Sequence, residues 1–523
     1  MAEIKRALIS VSEKTGVVDF ARDLHRLGVE LVSSGGTAGI LEEAHIPVQL
    51  VSEYTGFPEI LSGRLKTLHP KIYGGILAKR NDEGHMHQLD EQNIPPIDMV
   101  VVNLYPFEQW AQQRSASVED VIEMIDIGGS ALIRAAAKNC PWVAVVTDPV
   151  KYGEILEELS KNGGTLSVET CQRLAAEAFR YTAHYDSCIA NYLAAHRQRD
   201  LFPLFFESRF EKVGDLRYGE NPHQRAALYR DVSVDEAALI GAKKLGGKEL
   251  SFNNFLDINA AVELIWEFDR PAAVLIKHTN PCGAALGSRL AEAYEKAFAG
   301  DPLSAFGSIV GFNRPVDVET AEKMAVPNTF FEAVVAPDYE EGALTLLTGR
   351  RWWGKTVRIV KYDPREMSRN TGLVVKQVLG GLLVQEKDKE TFIEGDLRAV
   401  TERAPTQAEM QALRFAWTVV KHVKSNAVLL AQGEMVVGVG AGQMSRVDSS
   451  IIAVRKAGER ARGAVLASDA FFPFRDGLDV AAQAGVTAAI QPGGSKGDNQ
   501  VIAAANEHGM AMVFTGMRHF RHL

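Results

Sequence analysis

The 523-residue chain contains only four cysteines, and no two of them form a C-x-x-C pair. So few and so widely spaced cysteines do not make a disulfide framework, and we expect reduced, mostly structural thiols. No uninterrupted apolar run reaches the roughly 18 to 20 residues of a membrane helix. The first residues are typical of a β-strand and not of a secretion signal. The sequence therefore predicts a cytoplasmic protein that does not span a membrane.

An excess of positive charge is also missing, since 57 basic residues face 66 acidic ones and the net charge is -9. This balance argues against general nucleic-acid binding but permits a local cationic pocket for a small anion. No H-x-E occurs, and no second cysteine follows Cys282 in the zinc-deaminase pattern. The sequence thus favours acid–base chemistry on an anionic substrate, with no metal.

What the chain has instead is a regular alternation of short β-branched runs and helix-period segments, which covers residues 1 to about 150. Such alternation is typical of βα units on a parallel sheet. A helical period then continues over residues 168–197, until the aromatic and proline cluster at 201–210 interrupts it. We therefore predict two α/β regions, residues 1–199 and 200–523.

The second region contains a faint duplication. AAVLIKHTNPCGAALG (272–287) resembles NAVLLAQGEMVVGVGAG (426–442), and each is followed by a helix, a strand and an aromatic turn. This pattern predicts two related α/β subdomains.

In the first region, polar residues cluster where predicted strands end. The turn SSGGT (33–37) offers bare backbone amides, hydroxyls and a helix N-terminus to an anion, and the hydroxyl-rich turn after the first strand would lie at the same sheet edge. The cationic loop SGRLKTLHPKIYGG (62–75) adds positive charge. Each feature alone also fits an ordinary βα turn, a cap or a solvated loop. Together they predict an anion site.

In the second region, Lys277 and His278 follow a buried apolar run. Neighbouring residues of a strand point to opposite faces, so both can meet one ligand only where the strand ends, and Asn280-Pro281 is predicted to end it. A histidine can move a proton at neutral pH, and a lysine can stabilise an oxyanion. The alternative, in which one residue caps the strand and the other is solvated, fits the pair equally well.

A set of motifs spans the chain in a fixed order: SVSEKTG, SSGGTA, GRLKTLHP, NLYPF, DIGGSALIRAAAKN, RYGENPHQ, KHTNPCGAA, KSNAV, GAGQMSR and SDAFFPFRDG. With its motifs in this order, the chain resembles the bifunctional purine-biosynthesis enzymes, in which a formyltransferase is fused to inosine monophosphate (IMP) cyclohydrolase. The resemblance implies a methylglyoxal-synthase-like parallel-sheet domain and two cytidine-deaminase-like α/β subdomains without zinc. It also implies a homodimer with transferase sites between subunits.

The implied reactions act on small nucleotides and use a reduced folate. Aminoimidazole carboxamide ribotide (AICAR) takes a formyl group from 10-formyltetrahydrofolate, and the formamido ribotide (FAICAR) then closes to IMP with loss of water. By resemblance, His278 transfers the proton and Lys277 stabilises charge in the first step. Residues implied to bind nucleotide or folate there are Arg217, Tyr218, Phe306, Gly307, Asn426, Arg446 (reaching into the partner subunit), Phe471, Asp476 and His522, with Glu332 as a possible ligand.

For ring closure, the resemblance implies that Lys66 stabilises the oxyanion, with Thr67 beside it. Tyr105, Asp126 and Lys138 form the implied proton network. The implied substrate ligands are Ser12, Lys14, Ser34, Gly36, Thr37, Arg64 and Asn103.

Two other functions remain open at this point. The first region could be a regulatory phosphate-binding module, because methylglyoxal-synthase-like domains also act as ligand sensors. Only the formyltransferase would then be catalytic. The basic loop around Lys66 and the pair of Asp126 with Lys138 favour catalysis, since a sensor needs no proton network. A non-enzymatic nucleotide-binding protein would leave Lys277 and His278 unexplained.

Overall fold

A computed structural model describes residues 2–111, 113, 116–197, 201–202, 204–206, 208–232, 239–349, 353–364 and 372–522. The chain divides into two compact units, Met1–Glu207 (unit 1) and Ser208–Leu523 (unit 2). The boundary predicted between residues 199 and 200 lies outside the described residues. None of the described helices combines the length and the apolar character needed to cross a membrane.

Unit 1 is built on a five-stranded parallel sheet, as the alternating pattern predicts. Its strands and those of a small antiparallel pair are β1 (Ala2–Glu3), β2 (Arg6–Val11), β3 (Glu30–Ser33), β4 (Gln49–Leu50), β5 (Met99–Asn103), β6 (Ala144–Val146) and β7 (Thr165–Leu166). Its helices are α1 (Val17–Arg26), α2 (Gly35–Glu43), α3 (Val51–Thr55), α4 (Pro70–Leu77), α5 (Glu83–Glu91), α6 (Phe107–Ala111), α7 (Val118–Glu123), α8 (Ile127–Lys138), α9 (Tyr152–Lys161) and α10 (Val168–Arg197), with 3-10 turns at Leu61–Gly63 and Pro149–Lys151.

The strand order β4-β3-β2-β5-β6 places the functional edge of unit 1. All five residues of β5 are buried, as expected for a parallel strand covered on both faces. Because β3 and β5 lie on opposite sides of β2, the chain changes direction there. Ligands of open α/β sheets bind outside the carboxyl ends of strands at such a point. The loops that follow β2, β3 and β5 meet at this edge.

Part of the predicted cationic loop 62–75 is helical. α4 begins at Pro70, and the Nδ1 atom of His69 accepts a hydrogen bond of 3.2 Å from the backbone N–H of Lys71. Proline suits the first helical position, since its fixed φ fits the helix and it needs no amide donor there. The loop that remains free to carry Lys66 is therefore shorter than predicted.

Unit 2 contains two six-stranded sheets with the same topology, which confirms the predicted duplication. The first follows β10-β15-β14-β13-β11-β12 and the second β18-β23-β22-β21-β19-β20. The strands are β8 (Phe210–Leu216), β9 (Ala226–Asp231), β10 (Lys243–Gly246), β11 (Ala272–Lys277), β12 (Asn280–Leu286), β13 (Ser308–Phe312), β14 (Phe331–Ala336), β15 (Arg358–Lys361), β16 (Leu373–Val378), β17 (Gly381–Glu386), β18 (Arg398–Ala399), β19 (Val428–Ala431), β20 (Val436–Gly440), β21 (Val465–Ser468), β22 (Ala488–Gln491) and β23 (Ala511–Phe514).

The described helices of unit 2 repeat in the same way. They are α11 (Phe252–Ile265), α12 (Leu290–Gly300), α13 (Pro302–Ala305), α14 (Val318–Met324), α15 (Glu341–Thr348), α16 (Gln407–Val420), α17 (Arg446–Ala457), α18 (Asp476–Gln483) and α19 (Asp498–Glu507), with 3-10 turns at Glu394–Asp396 and Gly458–Ala461. The first helix of each repeat begins with a capping box, at Ser251 for α11 and at Thr406 for α16. Residues from both sheets, α11 and α16 share one buried core.

Two glycines align the repeats residue by residue. Gly283 lies opposite Leu275 in the first sheet, and Gly438 lies opposite Leu430 in the second. A Cβ atom on Gly283 would lie 2.2 Å from the carbonyl oxygen of Ala297, and one on Gly438 would lie 2.1 Å from that of Ala453. Only glycine lets strand and helix approach so closely.

The end of β11 differs from the prediction. The strand ends at Lys277, His278 and Thr279 form the turn, and Asn280-Pro281 already begins the return strand β12. Proline is tolerated there because β12 lies at the edge of its sheet. The pair Lys277-His278 thus lies at a hairpin tip.

Candidate active sites

The loop after β3 in unit 1 forms a cradle for an anion. α2 starts at Gly35, whose φ of 53° is left-handed, and a Cβ on Gly36 would meet no atom within 4 Å. The hydroxyl of Ser34 is buried and has no hydrogen-bond partner among the described residues. The first turn of α2 carries no acidic residue. Free amides at a helix N-terminus and an unused hydroxyl suit a phosphate group.

Two lysines add positive charge to this cradle. The Nζ atom of Lys14 donates a 2.7 Å hydrogen bond to the hydroxyl of Thr37 and another bond to the carbonyl oxygen of Val11. The Nζ atom of Lys66 lies 3.6 Å from the position of a Cβ on Gly35. Burial and the nearby charge of Lys66 lower the pKa of Lys14. A bound anion would offset this repulsion.

Asn103, at the end of β5, holds the neighbouring loop. Its Oδ1 atom accepts hydrogen bonds from the backbone N–H groups of Ser12 (2.6 Å) and Glu13 (2.8 Å). Its Nδ2 atom donates to the carbonyl oxygen of Glu13 at 3.1 Å. The amide therefore shapes the loop after β2. By contrast, Arg64 is exposed and forms an ion pair with Glu123.

Asp126 lies at the same sheet edge, where it caps the start of α8. Its carboxylate accepts a 2.6 Å hydrogen bond from the N–H of Gly129 and another from the N–H of Tyr105. Burial raises the pKa of Asp126, although these bonds and the positive charge of Lys66 act in the opposite direction. The hydroxyl of Thr67 lies 3.1 Å from the Cβ position of Gly128. The Lys66-Thr67 loop thus borders a carboxyl group suited to proton transfer.

Lys138, which the resemblance implies for the same proton network, makes no direct contact with Asp126 within one chain. It is the last residue of α8, while Asp126 caps the first turn. Twelve residues of helix place them about 18 Å apart, so a direct pair within one chain is excluded. Both line a groove of about 580 Å³ along α8, at opposite ends. The part of Lys138 in the proton network therefore stays a prediction from the family resemblance.

Sequence reasoning missed one residue that positions Asp126. The hydroxyl of Tyr185 accepts a 2.8 Å hydrogen bond from the N–H of Asp126 and donates a 2.8 Å bond to the carbonyl oxygen of Met124. Tyr185 lies on α10, 59 residues away. A tyrosine in a long amphipathic helix carries no local signal for this role.

In unit 2, Lys277 and His278 lie at the tip of the β11–β12 hairpin. The Nζ atom of Lys277 donates a 2.8 Å hydrogen bond to the carbonyl oxygen of Phe306. His278 has a φ of 52° and Thr279 a φ of 61°, both in the left-handed region. That conformation is rare for a histidine and rarer for a β-branched threonine, and such strain often marks functional sites.

The second repeat carries different residues at the same turn. Since Leu275 aligns with Leu430, Gln432 and Gly433 occupy the places of Lys277 and His278. Gly433 has a φ of 56°, so this turn needs the same backbone conformation and glycine supplies it without strain. The basic pair belongs to the first repeat alone.

Asp257, which the sequence analysis did not select, holds the turn from α11. Its carboxylate accepts hydrogen bonds from the N–H groups of Thr279 (2.6 Å) and His278. Burial raises the pKa of Asp257, and these bonds and nearby positive charges only partly offset it. A polar residue within the apolar run of α11 was the available signal.

The turn is linked to the predicted nucleotide-binding residues of the second repeat. The Oδ1 atom of Asn280 accepts a 3.0 Å hydrogen bond from the N–H of Lys424. Two residues further on, the side chain of Asn426 accepts a 3.2 Å bond from Arg446. Arg446 is buried and paired with Asp469 at 2.5 Å. Its guanidinium is held within its own chain, and its reach into a partner subunit stays a prediction.

Arg217 and Tyr218 lie on the loop after β8, where the guanidinium stands 5.4 Å from the centre of the tyrosine ring. Burial lowers the pKa of Lys424, while the negative charges of Asp257 and Glu220 oppose the change. Because Glu220 belongs to the same loop, its influence on Lys424 indicates that this loop lies near the Asn280–Lys424 link.

The remaining predicted residues of unit 2 are distributed over both repeats. Gly307 has a φ of 74°, and its N–H donates a 2.8 Å bond to the carbonyl oxygen of Phe330, whose ring packs on Phe306 at 5.4 Å. Glu332 is paired with Arg358 at 2.5 Å. The others lie in the second repeat: Phe471 after β21, Asp476 at the start of α18, and His522, whose carbonyl oxygen accepts a bond from Lys376.

Comparison with known proteins adds independent evidence. A family described as "AICARFT/IMPCHase bienzyme" matches residues 136–456, and one described as "MGS-like domain" matches residues 16–131. The chain is 51% identical, over 99% of its length and 100% of the relative, to "Bifunctional purine biosynthesis protein PurH" of Acetivibrio thermocellus. A solved structure titled "Crystal structure of ForH" is 35% identical and covers 36% of this chain and 97% of that one, with a TM-score of 0.34.

The chain belongs to the AICARFT/IMPCHase bienzyme family. It is a bifunctional enzyme of purine biosynthesis that catalyses the AICAR formyltransferase and IMP cyclohydrolase steps. The predicted fold class is confirmed, with a methylglyoxal-synthase-like parallel-sheet unit followed by mixed α/β sheets.

Proposed function

We propose that the two reactions are divided between the two units. Unit 1 closes FAICAR to IMP, and unit 2 transfers the formyl group of 10-formyltetrahydrofolate to AICAR. The observation that carries this division is the presence of two separate basic groups, Lys66 beside the α2 cradle and Lys277 on the β11–β12 turn. The division is supported by the MGS-like family description, whose match covers residues 16–131 and so lies within unit 1.

For formyl transfer, the amine of AICAR must attack the formyl carbon of the folate. This amine is a weak nucleophile, because the ring and the carboxamide withdraw its electrons. His278 accepts its proton, and the ammonium of Lys277 stabilises the oxyanion that forms on the formyl oxygen. As the tetrahedral intermediate collapses, the bond from the formyl carbon to the folate nitrogen breaks, His278 gives the proton to that nitrogen, and tetrahydrofolate leaves. Arg217, Asn426 and Arg446 bind the nucleotide, and Phe471 and Asp476 lie on the folate side.

For ring closure, the carboxamide nitrogen of FAICAR must attack the formamide carbon, and water must leave. The α2 cradle with Lys14 binds the phosphate and fixes the substrate. Lys66 stabilises the developing oxyanion. Asp126, whose pKa burial raises, exchanges protons with the reacting groups, a task that suits a carboxyl group that titrates nearer neutrality.

The fusion has a chemical reason. Formylation of so weak an amine is readily reversed, whereas closure to an aromatic bicycle removes the product. The second reaction therefore drives the first. A homodimeric assembly and a cytoplasmic location belong to the same proposal and rest on the family resemblance. The reading of unit 1 as a mere phosphate sensor is disfavoured, because a sensor needs no Asp126–Lys66 arrangement.

The repeats of unit 2 supply a matched test of the formyltransferase assignment. Lys277→Ala and Gln432→Ala change equivalent turns, but only the first removes the basic group. We expect Lys277→Ala to lower tetrahydrofolate release by roughly 100-fold or more, and Gln432→Ala to leave it within about twofold. Both proteins should still cyclise supplied FAICAR. Equal loss in the two variants, or loss of cyclisation in folded Lys277→Ala, contradicts the assignment.

A further inference from the structure

Three side chains that the two reactions do not use meet beside α10 in unit 1. They are Glu108 on α6 and His184 and Cys188 on α10, and they form the group of potential metal ligands found among the described residues. The thiol of Cys188 lies 2.9 Å from Oε1 of Glu108. The Nε2 atom of His184 lies 3.6 Å from that sulfur and 3.3 Å from the same Oε1 atom.

These separations are close to those of ligands around one zinc ion. With ordinary Zn–S, Zn–N and Zn–O bond lengths, tetrahedral ligands lie roughly 3.3 to 3.6 Å from one another. The two separations that involve His184 already fit this range. The sulfur–carboxylate distance is shorter because the thiol donates a hydrogen bond, and it must widen when the thiol loses its proton and a cation takes its place.

Packing positions the three donors in advance. His184 and Cys188 are one helical turn apart, so they share one face of α10. The ring of Phe107, which precedes Glu108, packs edge-on against Tyr185 at 6.1 Å and Tyr192 at 5.6 Å. These contacts hold α6 against α10, so an ion need not assemble the site from distant parts.

We infer that Glu108, His184 and Cys188 form a binding site for a borderline-soft divalent cation of the Zn²⁺ class. A sulfur, a nitrogen and a carboxylate oxygen are the donors that zinc prefers, whereas Mg²⁺ and Ca²⁺ prefer oxygen alone. Three protein ligands leave a fourth position for water. The site lines a cavity of about 410 Å³ that Ser12, Asn103 and Tyr105 also line.

This inference is independent of the proposed division of activities, because no step of the two proposed reactions involves the ion. An ion at this position lies in the same cavity as residues of the cyclohydrolase edge. Because Glu108 lies on α6 and the other two ligands lie on α10, the ion would bridge the two helices and raise the thermal stability of unit 1.

The experiment is a titration of untagged, chelator-treated enzyme with Co²⁺ as a spectroscopic probe. Wild type should bind one Co²⁺ per chain with a thiolate-to-cobalt charge-transfer band in the near ultraviolet, and Zn²⁺ should displace it. Cys188→Ser should abolish the band. His184→Gln should weaken binding about tenfold or more while it retains the thiol. Binding should also weaken from pH 8 to pH 6, because the ligands must lose protons.

Cys140→Ser is the matched control, since it removes another partly exposed thiol and leaves the three donors in place. The band should survive in this variant. Absence of a band in wild type, its persistence in Cys188→Ser, or its loss in Cys140→Ser overturns the inference. If Cys188→Ser fails to fold by circular dichroism, His184→Gln decides, because unchanged Co²⁺ affinity in that variant also overturns it.

Discussion

The ammonium group of Lys277 donates a hydrogen bond to the carbonyl oxygen of Phe306, 2.8 Å away. Phe306 comes just before β13, the strand that pairs with β11. The bond therefore ties the lysine to the short connection that leads into β13, and a positioned ammonium is what oxyanion stabilisation requires. The second repeat keeps the sheet and the turn but has Gln432 at this place.

Backbone strain at His278 predicts a trade between stability and activity. His278→Gly removes a side chain from a left-handed position, so we expect the free energy of unfolding to rise by about 1 kcal/mol. Formyl transfer should fall roughly 100-fold or more, since the proton acceptor is lost. Urea unfolding and a formyl-transfer assay measure the two effects. His278→Asn tolerates the same φ and should be equally inactive, whereas an active Asn variant would show that the imidazole is not needed.

The raised pKa of Asp126 predicts how the rate of cyclisation depends on pH on the acid side. Because burial raises the pKa of Asp126, its carboxylate becomes protonated at a higher pH than an ordinary aspartate. If the carboxylate is the active form, kcat/KM for FAICAR falls as the pH decreases through this raised pKa. Asp126→Asn can still cap α8, and we expect it to lower cyclisation roughly 100-fold and to remove this pH dependence. An unchanged pH profile in the variant would exclude Asp126 as the titrating group.

Lys14 should act on binding more than on the chemical step. Its ammonium lies at the α2 cradle, and a phosphate is bound alike in the ground and transition states. Lys14→Met should therefore raise KM for FAICAR about tenfold with little change in kcat. Inorganic phosphate should inhibit wild type competitively and the variant less. Lys161→Met, at an exposed lysine paired with Glu157, is the control that should change neither constant.

A buried charge cluster in unit 2 predicts sensitivity to acid. Burial alone would raise the pKa of Glu267, but His422 and Lys421 bring it down to about 2. A carboxyl group with a depressed pKa stabilises the fold above its unfolded value, about 4.3, and this stabilisation is lost as the pH falls towards 2. Glu267→Gln should therefore flatten the loss of urea stability between pH 5 and pH 3. Glu402→Gln, at an exposed glutamate, should keep the wild-type slope.

The repetition of strands and helices, including the duplication in unit 2, could be predicted because buried runs and helical periods are local in sequence. The residues around Lys66 and Lys277 could also be selected locally, from clusters of polar groups at strand ends. Tyr185 carried no such signal. Asp257 stood out as a polar residue in an apolar run, but its hydrogen bond to the distant turn could not be predicted. The part of Lys138 in the proton network stays a prediction, since a motif does not show that a helix of twelve residues separates Lys138 from Asp126. His278 was selected, but the turn that it forms with Thr279 was not predicted, because neither residue is typical of left-handed backbone.

The division of labour between Lys66 and Lys277 is tested most directly by the products that a Lys66→Ala enzyme makes. The purified full-length variant is mixed with AICAR and 10-formyltetrahydrofolate, and the nucleotides are separated by chromatography beside wild type. We predict that wild type yields IMP and that the variant forms FAICAR at first but does not convert it. If Lys66→Ala yields IMP at the wild-type rate, or if the folded variant forms no FAICAR, the assignment of ring closure to unit 1 through Lys66 is contradicted.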